Sequence, residues 1–155
     1  MYAMQKEIEN LIKEVEECAK EVYQELGSGW DEEIYQKAME VALREKGIKY
    51  EAQRTLPIFF RGYVVGRGFP DLIVWFQKGK KKVAIVVELK SVSEINLDSQ
   101  NQVERYMQEL KKELKENEEL YPKGFVFDFT KPKGELREKP KDHHGLKILE
   151  VELKN

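Results

Sequence analysis

The feature that most constrains this chain is an apolar run that ends in two charges of opposite sign. Residues 83–90 read Val-Ala-Ile-Val-Val-Glu-Leu-Lys, so five apolar residues precede Glu88, Leu89 and Lys90. An uninterrupted run rich in β-branched residues is typical of a strand that is buried on both faces. Because side chains alternate along a strand, Glu88 and Lys90 are predicted to point to the same side. A buried charge is costly without a partner, so these groups must be solvated, paired or bound to something.

A second apolar run brings another carboxylate to the same end of the predicted sheet. Residues 72–76 read Leu-Ile-Val-Trp-Phe and directly follow Asp71. Residues 77–82 contain no apolar side chain, which predicts a hairpin loop between the two runs. Folding this hairpin places Asp71, at the start of one strand, beside the end of the other. Two carboxylates and one ammonium group are therefore predicted to meet there.

Length and charge limit what the chain can be. Its 155 residues predict one domain, residues 1–155, which is large enough for a hydrophobic core. Charged residues make up 36%, mostly Lys and Glu, a composition that recurs in proteins from hot environments. The net charge of -2 argues against a generally basic surface for nucleic acid, so any such binding must use local patches.

The sequence also indicates a cellular compartment. The lone Cys18 cannot form an internal disulfide, which fits a reducing cytoplasm. Residues 1–10 contain no apolar run like that of a signal peptide. No stretch approaches the ~20 apolar residues that a membrane-spanning helix needs. A cytoplasmic location without a membrane partner is expected.

Apolar spacings of three and four residues predict three helices. They cover about residues 4–26 and 29–46, and a third helix, capped by Asp98 or Ser99, runs to about residue 117. In the second helix, Ser28 and Asp31 resemble a capping box, and Ile34 and Tyr35 belong to the apolar stripe. Glu32 falls on that inward stripe at the N-terminal end, three residues before Tyr35. The alternative is that Glu32 only complements the helix dipole.

The remaining segments predict strands and give the fold class. Residues 48–60 are interpreted as one extended strand, and the next strand begins at 63–65 before an interruption at 66–68. Shorter strands are predicted at 125–129 and 146–153, with a polar loop over 131–144. The order of elements predicts an α/β (α+β) domain in which helices pack on a mixed β-sheet.

Four short motifs resemble a known family. Residues 29–35 match the Gly-x-x-Glu-x-x-Tyr signature of the GxxExxY proteins, which belong to the PD-(D/E)XK nuclease-like superfamily. Pro70-Asp71 and residues 88–90 match the PD and (D/E)XK elements, and Gln102 with Tyr106 matches a Gln-x-x-x-Tyr pattern of some nuclease branches. The resemblance covers about residues 8–130 and leaves 131–155 as a C-terminal extension. It implies a restriction-endonuclease-like core with the order α-α-β-β-β-α-β.

The resemblance also implies a nuclease that depends on Mg²⁺ or Mn²⁺. Its implied metal ligands are Glu32, Asp71, Glu88 and the main-chain carbonyl of Leu89. Magnesium prefers oxygen ligands and keeps several waters, so this set suits it. Lys90 is expected to hold the attacking water or the phosphate oxygens, while Gln102 and Tyr106 position the nucleic acid or the metal's surroundings. The implied reaction is phosphodiester hydrolysis, with DNA favoured over RNA as the partner.

Less specialised interpretations remain open at this stage. Glu88 and Lys90 are also compatible with an ordinary ion pair at a strand end. Tyr35 and Tyr106 are also compatible with core aromatics whose hydroxyls are solvated, and this suits Tyr35 best. The adjacent histidines at 143 and 144 lie in a polar loop, where solvation is favoured over metal binding.

Two other functions compete with that of a nuclease. One is a module with the same fold but a silent site, which only binds nucleic acid or a protein. The other is a structural subunit of a repair or defence complex. The acid, acid and lysine set favours the nuclease, whereas the near-neutral charge favours the others. The sequence leaves a homodimer open.

Overall fold

The computed structural model describes residues 2–130 and 146–153, with side chains from Met4 onward. The predicted polar loop and its two histidines lie outside these ranges. The described residues form two compact units. The first comprises residues 2–48, 89–94, 127–130 and 146–147, and the second comprises residues 49–88, 95–126 and 148–153. None of the helices in these ranges has the length and apolar character needed to cross a membrane.

Three helices and eight strands make up the described fold. The helices are α1 (Tyr2–Leu26), α2 (Glu32–Glu45) and α3 (Leu97–Glu113). The strands are β1 (Lys49–Ala52), β2 (Leu56–Phe60), β3 (Tyr63–Gly68), β4 (Leu72–Lys78), β5 (Lys81–Lys90), β6 (Glu118–Leu120), β7 (Lys123–Asp128) and β8 (Lys147–Glu152).

In the first unit, α1 and α2 pack through their apolar stripes. The buried set includes Val15, Cys18 and Val22 of α1 with Met39 and Leu43 of α2. This agrees with the predicted periodicity, since residues three and four apart share one helix face. Burial is the main cause that raises the pKa of the Cys18 thiol to about 11.

The predicted start of α2 is wrong by one turn. The helix begins at Glu32, and its N-cap is Asp31, whose side chain makes no capping hydrogen bond. Gly27 and Gly29 both have positive φ, 71° and 99°, so the chain between the two helices is not helical and no capping box forms at Ser28. Ile34, predicted to be buried, is 40% exposed.

The main sheet has six strands in the order β1-β4-β5-β7-β8, with β6 also paired to β5. The β4 and β5 strands are antiparallel, whereas β5 and β6 are parallel. A mixed sheet combined with helices confirms the predicted α/β class. The hairpin turn is shorter than predicted, because β4 extends to Lys78 and β5 begins at Lys81. Strand β6 was not predicted, and α3 ends at Glu113 rather than near residue 117.

The predicted strand over residues 48–60 is two strands in different sheets. Strand β1 pairs with β4, whereas β2 pairs with β3 in a separate two-stranded sheet, called here the ribbon. The break lies near Gln53, whose φ is 56°. A left-handed residue turns the chain out of an extended path, which is why one strand cannot continue through it. The predicted interruption at 66–68 is absent, since β3 runs to Gly68.

The second unit has its core between α3 and one face of the sheet. The cluster comprises Leu56, Ile73, Ala84, Val86, Val103, Tyr106, Met107, Leu110, Val126 and Val151. The helix begins after Asn96, whose side-chain oxygen accepts a hydrogen bond from the Ser99 N–H at 3.1 Å. Asn96 therefore takes the capping role that was predicted for residue 98 or 99.

Candidate active site

The register of β4 and β5 brings Asp71 and Glu88 together. Leu72 pairs with Val87, so the residue before β4 lies next to Glu88. The backbone N–H of Asp71 donates to Oε1 of Glu88 at 2.6 Å. Alternation along the strand places Glu88 on the same face as Val86, which is the face that packs on α3. The sequence-based expectation that these two acids are neighbours agrees with this contact.

The two carboxylates differ in their exposure to water. Glu88 is 3% exposed, and Asp71 is half-buried. A nearly buried carboxylate is stable only where hydrogen bonds or cations compensate for lost hydration. The main-chain N–H of Asp71 supplies one such bond to Glu88. This end of the sheet therefore holds one buried carboxylate and one that remains accessible.

Gln53 is a residue of this region that sequence reasoning missed. Its backbone N–H donates to the Asp71 carbonyl at 3.2 Å, and its side-chain amide donates to Oδ1 of Asp71, also at 3.2 Å. Gln53 does this from a left-handed backbone conformation that a glutamine seldom adopts. Strained residues of this kind concentrate at functional sites. No local pattern marks this position, because its role depends on the pairing of β1 with β4.

Tyr106 of α3 lies near these acids and is affected by their charge. Burial raises the pKa of its hydroxyl and the negative charge of Glu88 raises it further, whereas the backbone of Phe69 and the amide of Gln102 lower it. Gln102 donates to the Tyr106 hydroxyl at 3.1 Å, so the i,i+4 spacing predicted for this pair produces a direct contact. The ring lies so close to Gly68 that a Cβ at that glycine would be 2.4 Å from ring carbon Cε1.

In the first unit, Glu32 binds the chain just after β5. Its Oε2 accepts a hydrogen bond from the Ser91 N–H at 3.2 Å, and the Ser91 hydroxyl donates to the Trp30 carbonyl at 2.8 Å. Glu32 is exposed, so its predicted inward position is wrong as regards burial. Leu89 is 1% exposed, and Lys90 is half-buried with its carbonyl accepting from the Phe129 N–H at 2.8 Å.

Tyr35 has a structural role at the start of α2. Its hydroxyl donates to the Gly27 carbonyl at 2.5 Å and accepts from the Trp30 N–H at 3.4 Å. Its ring stacks on Phe129 with centroids 4.3 Å apart. The suggestion that this hydroxyl is solvated is therefore wrong. Tyr35 holds the segment that leads into α2 and hence the start of the helix that carries Glu32.

Asp128 is a second residue that sequence reasoning missed. It is fully buried at the end of β7, and its Oδ1 accepts from the Val92 N–H at 3.0 Å. Burial raises the pKa of its carboxyl, whereas the Val92 bond and the charge of Lys147 lower it and Glu32 raises it. Its other oxygen has no partner within the described ranges. Together with Glu32, Asp128 fixes the backbone of residues 91–92 directly after Lys90.

The donor set can be tested against a divalent metal. Within residues 2–130 and 146–153, no three His, Cys, Asp or Glu side chains form a ready metal cluster. Magnesium needs fewer protein ligands, because it keeps several waters and is often held by one or two carboxylates. Asp71 and Glu88 provide two carboxylates side by side, one of them accessible. The chemistry of these residues fits Mg²⁺ or Mn²⁺.

Comparison with known proteins identifies the family. A family model described as the PD-(D/E)XK nuclease superfamily matches residues 9–137. The chain belongs to the PD-(D/E)XK nuclease superfamily. The matched range contains Asp71, Glu88 and Lys90, which are among the residues that carried the resemblance. A search of curated proteins and one of solved structures gave no significant match. Membership of the narrower GxxExxY group stays a prediction.

Proposed function

We propose that this superfamily member is a divalent-metal-dependent nuclease that hydrolyses phosphodiester bonds, in DNA rather than RNA. The observation that carries the proposal is the contact between the Asp71 backbone and the Glu88 carboxylate at the ends of two paired strands. An ordinary core strand gains nothing from a carboxylate that is 3% exposed. Buried acids beside an accessible acid are typical of sites that bind a cation or transfer protons.

Asp71 and Glu88 would hold Mg²⁺ or Mn²⁺, and the resemblance to the superfamily adds Glu32 and the main-chain carbonyl of Leu89 as expected ligands. A bound divalent ion supplies a more acidic water and neutralises charge on the reacting phosphate. Gln53 fixes the orientation of Asp71 through its side-chain amide. The Asp71 N–H in turn orients the Glu88 carboxylate. These bonds hold the two carboxylates in place before a ligand arrives, which reduces the cost of assembling the site.

Lys90 and Tyr106 have different tasks in this proposal. The ammonium group of Lys90 attracts the phosphate oxygens and favours a deprotonated attacking water. The Tyr106 hydroxyl is protonated at neutral pH, because the ordinary pKa of tyrosine is about 10 and burial and Glu88 raise it further. Since Gln102 donates to its oxygen, the hydrogen of that hydroxyl remains available to a substrate oxygen. Tyr106 and Gln102 therefore position the nucleic acid.

The test is a cleavage assay with single-stranded, duplex and branched DNA and with RNA, in Mg²⁺, Mn²⁺ or EDTA. Cleavage should require metal and should fall by at least roughly a hundredfold in Asp71→Asn, Glu88→Gln and Lys90→Ala, because each change removes a group at the reacting centre. Glu32→Gln should also lower the rate. Glu33→Gln is its matched control, since Glu33 occupies the same helical turn and its side chain is 79% exposed.

The same assay separates the alternatives. Binding without cleavage in the wild type, unchanged by Asp71→Asn and Glu88→Gln, would identify a silent module. Neither binding nor cleavage would favour a structural subunit of a larger complex. We place the protein in the cytoplasm because of its lone, buried Cys18. Sedimentation of the purified chain decides between monomer and homodimer.

A further inference from the structure

The ribbon exposes apolar side chains that the core does not explain. Phe60 is 58% exposed, Tyr63 76%, Val64 50% and Val65 62%. Scattered apolar residues on a surface are normal, but a contiguous set on one hairpin marks an interaction site. At its base the ribbon is anchored, because Leu56 is fully buried in the cluster with α3. The exposed residues therefore belong to a hairpin whose base is held in place.

The tip of the ribbon combines aromatic rings with a cation. Phe60 pairs directly with Tyr63, so both rings lie on one face of the ribbon. The guanidinium of Arg61 lies over the Phe60 ring, 4.9 Å from its centroid. Arg61 and Gly62 form the turn with φ of 52° and 82°. Such a turn prefers Asn-Gly, so an arginine at its first position is kept at a conformational cost.

The charge of this segment differs from that of the whole chain. Residues 52–70 contain Arg54, Arg61 and Arg67 and no Asp, Glu or Lys, although the chain carries a net charge of -2. Arg54 is neutralised by Glu51 and Glu113 at 3.3 and 3.4 Å. Among the described residues, neither Arg61 nor Arg67 lies within ion-pair distance of a carboxylate. The exposed part of the ribbon is thus aromatic and cationic.

We propose that the ribbon binds a single strand of nucleic acid by base stacking and phosphate contacts and leads it to Asp71. Unpaired bases offer flat faces to rings such as Tyr63, and phosphates match the charges of Arg61 and Arg67. The ribbon is continuous with the candidate site, because β3 ends at Gly68 and Asp71 follows three residues later. Even a fully extended chain from Tyr63 to Asp71 is only roughly 25 Å long, so the two residues are no farther apart than that. The inference rests on the proposed nuclease function and specifies single-stranded nucleic acid as its substrate.

The test is fluorescence anisotropy with a labelled single-stranded DNA, the RNA of the same sequence and the corresponding duplex, in EDTA so that nothing is cleaved. Affinity for the single strands should fall roughly tenfold for Tyr63→Ala and further for Phe60→Ala with Tyr63→Ala, since each stacked base contributes about 1–3 kcal/mol. Arg61→Ala and Arg67→Ala should each reduce the slope of log affinity against log salt by about 0.7.

Matched controls remove one exposed side chain of similar type outside the ribbon. Val41→Ala on α2 removes an apolar residue that is 47% exposed, and Arg44→Ala removes an arginine whose side chain is 59% exposed. Both should bind as the wild type does. Circular dichroism and thermal melting of each variant confirm that it is folded. A ribbon variant that is folded and keeps wild-type affinity for both single strands overturns the proposal.

Two further outcomes also overturn it. One is that the wild-type protein binds the duplex more tightly than the single strands and that the ribbon substitutions weaken both affinities equally. The other is self-association, measured by sedimentation, that is lost in the double variant Phe60→Ala with Tyr63→Ala although its nucleic acid affinity is unchanged. That result would identify a second copy of the chain as the partner. Asp71→Asn separates this proposal from the nuclease proposal. It should stop cleavage in Mg²⁺ yet keep binding in EDTA, so each proposal can fail without the other.

Discussion

The main sheet and the ribbon are built from similar residues but bury them differently. Residues 83–87 of β5 are at most 3% exposed, whereas Tyr63, Val64 and Val65 of β3 are at least 50% exposed. Burial of apolar area is the dominant stabilising contribution in folding, at roughly 25 cal/mol per Å². The apolar residues of β5 are therefore explained by stability. Those of the ribbon tip contribute little to it, and their explanation has to come from binding.

The largest expected contrast comes from one substitution made at both places. Val86→Ala should lower the free energy of unfolding by about 2 kcal/mol, because Val86 is fully buried and its loss leaves a cavity. Val65→Ala should change it by less than about 0.5 kcal/mol, because Val65 is 62% exposed. Urea unfolding measures both. Equal effects at the two sites would mean that the ribbon tip is buried in solution, for example by a second copy.

A second contrast uses two glycines of β3. A Cβ at Gly68 would come 2.4 Å from the Tyr106 ring, whereas a Cβ at Gly66 would meet nothing within 4 Å. Gly68→Ala should cost about 1–2 kcal/mol and should also lower cleavage, because the ring must move. Gly66→Ala should be neutral or stabilising by about 0.4–1 kcal/mol, since it restricts the unfolded chain. Thermal melting and the cleavage assay test the pair.

The outcome at Gly68 has a further check. If the damage comes from the contact with Tyr106, Gly68→Ala combined with Tyr106→Ala should be no less stable than Tyr106→Ala alone. Additive losses would show that Gly68 matters for another reason, such as the pairing of β2 with β3.

These contrasts also show what the sequence could and could not reveal. The contact of Asp71 with Glu88 was predictable, because an apolar run, a polar turn and a second run define a hairpin and alternation sets the face. The division of residues 48–60 into β1 and β2 was not. Their pattern is compatible with one strand, and the break depends on the left-handed backbone of Gln53, which glutamine does not signal.

Side chains that act through tertiary contacts were the hardest to predict. The sequence left Tyr106 open between a positioning role and a place in the core, and its 9% exposure depends on Gly68, which lets the ring approach β3. Glu32 was expected to face inward, yet it is exposed and held by the Ser91 N–H. Asp128 had no motif at all. In each case the partner lies far along the chain, so helical or strand periodicity carries no information about it.

A smaller effect is expected from the Tyr106 hydroxyl. Tyr106→Phe should cost about 1 kcal/mol at neutral pH, because the bond from Gln102 is lost. The folded-state pKa of Tyr106 is raised, mainly by burial and then by Glu88. The unfolded chain therefore loses this proton first as pH rises above about 10. The free energy of unfolding of the wild type should fall more steeply in that pH range than that of Tyr106→Phe. The stability difference between the two proteins should narrow.

Urea unfolding of both proteins from neutral to alkaline pH measures that difference. Tyr63→Phe is the control, because it removes a hydroxyl from a side chain that is 76% exposed. A difference between wild type and Tyr106→Phe that stays constant above pH 10, or widens, would contradict the assigned cause, which is burial beside Glu88.

The smallest expected effect on stability comes from Arg61→Asn, which should change stability and nucleic acid affinity in opposite directions. Arg61→Asn places a residue that tolerates φ of 52° in the turn before Gly62. It should stabilise the protein by a few tenths of a kcal/mol, up to about 1. It also removes the cation over Phe60, so affinity for single-stranded nucleic acid should fall even as stability rises. A gain in both stability and affinity would show that Arg61 serves neither. Higher stability with lower affinity would show that the ribbon gives up stability in order to bind a strand.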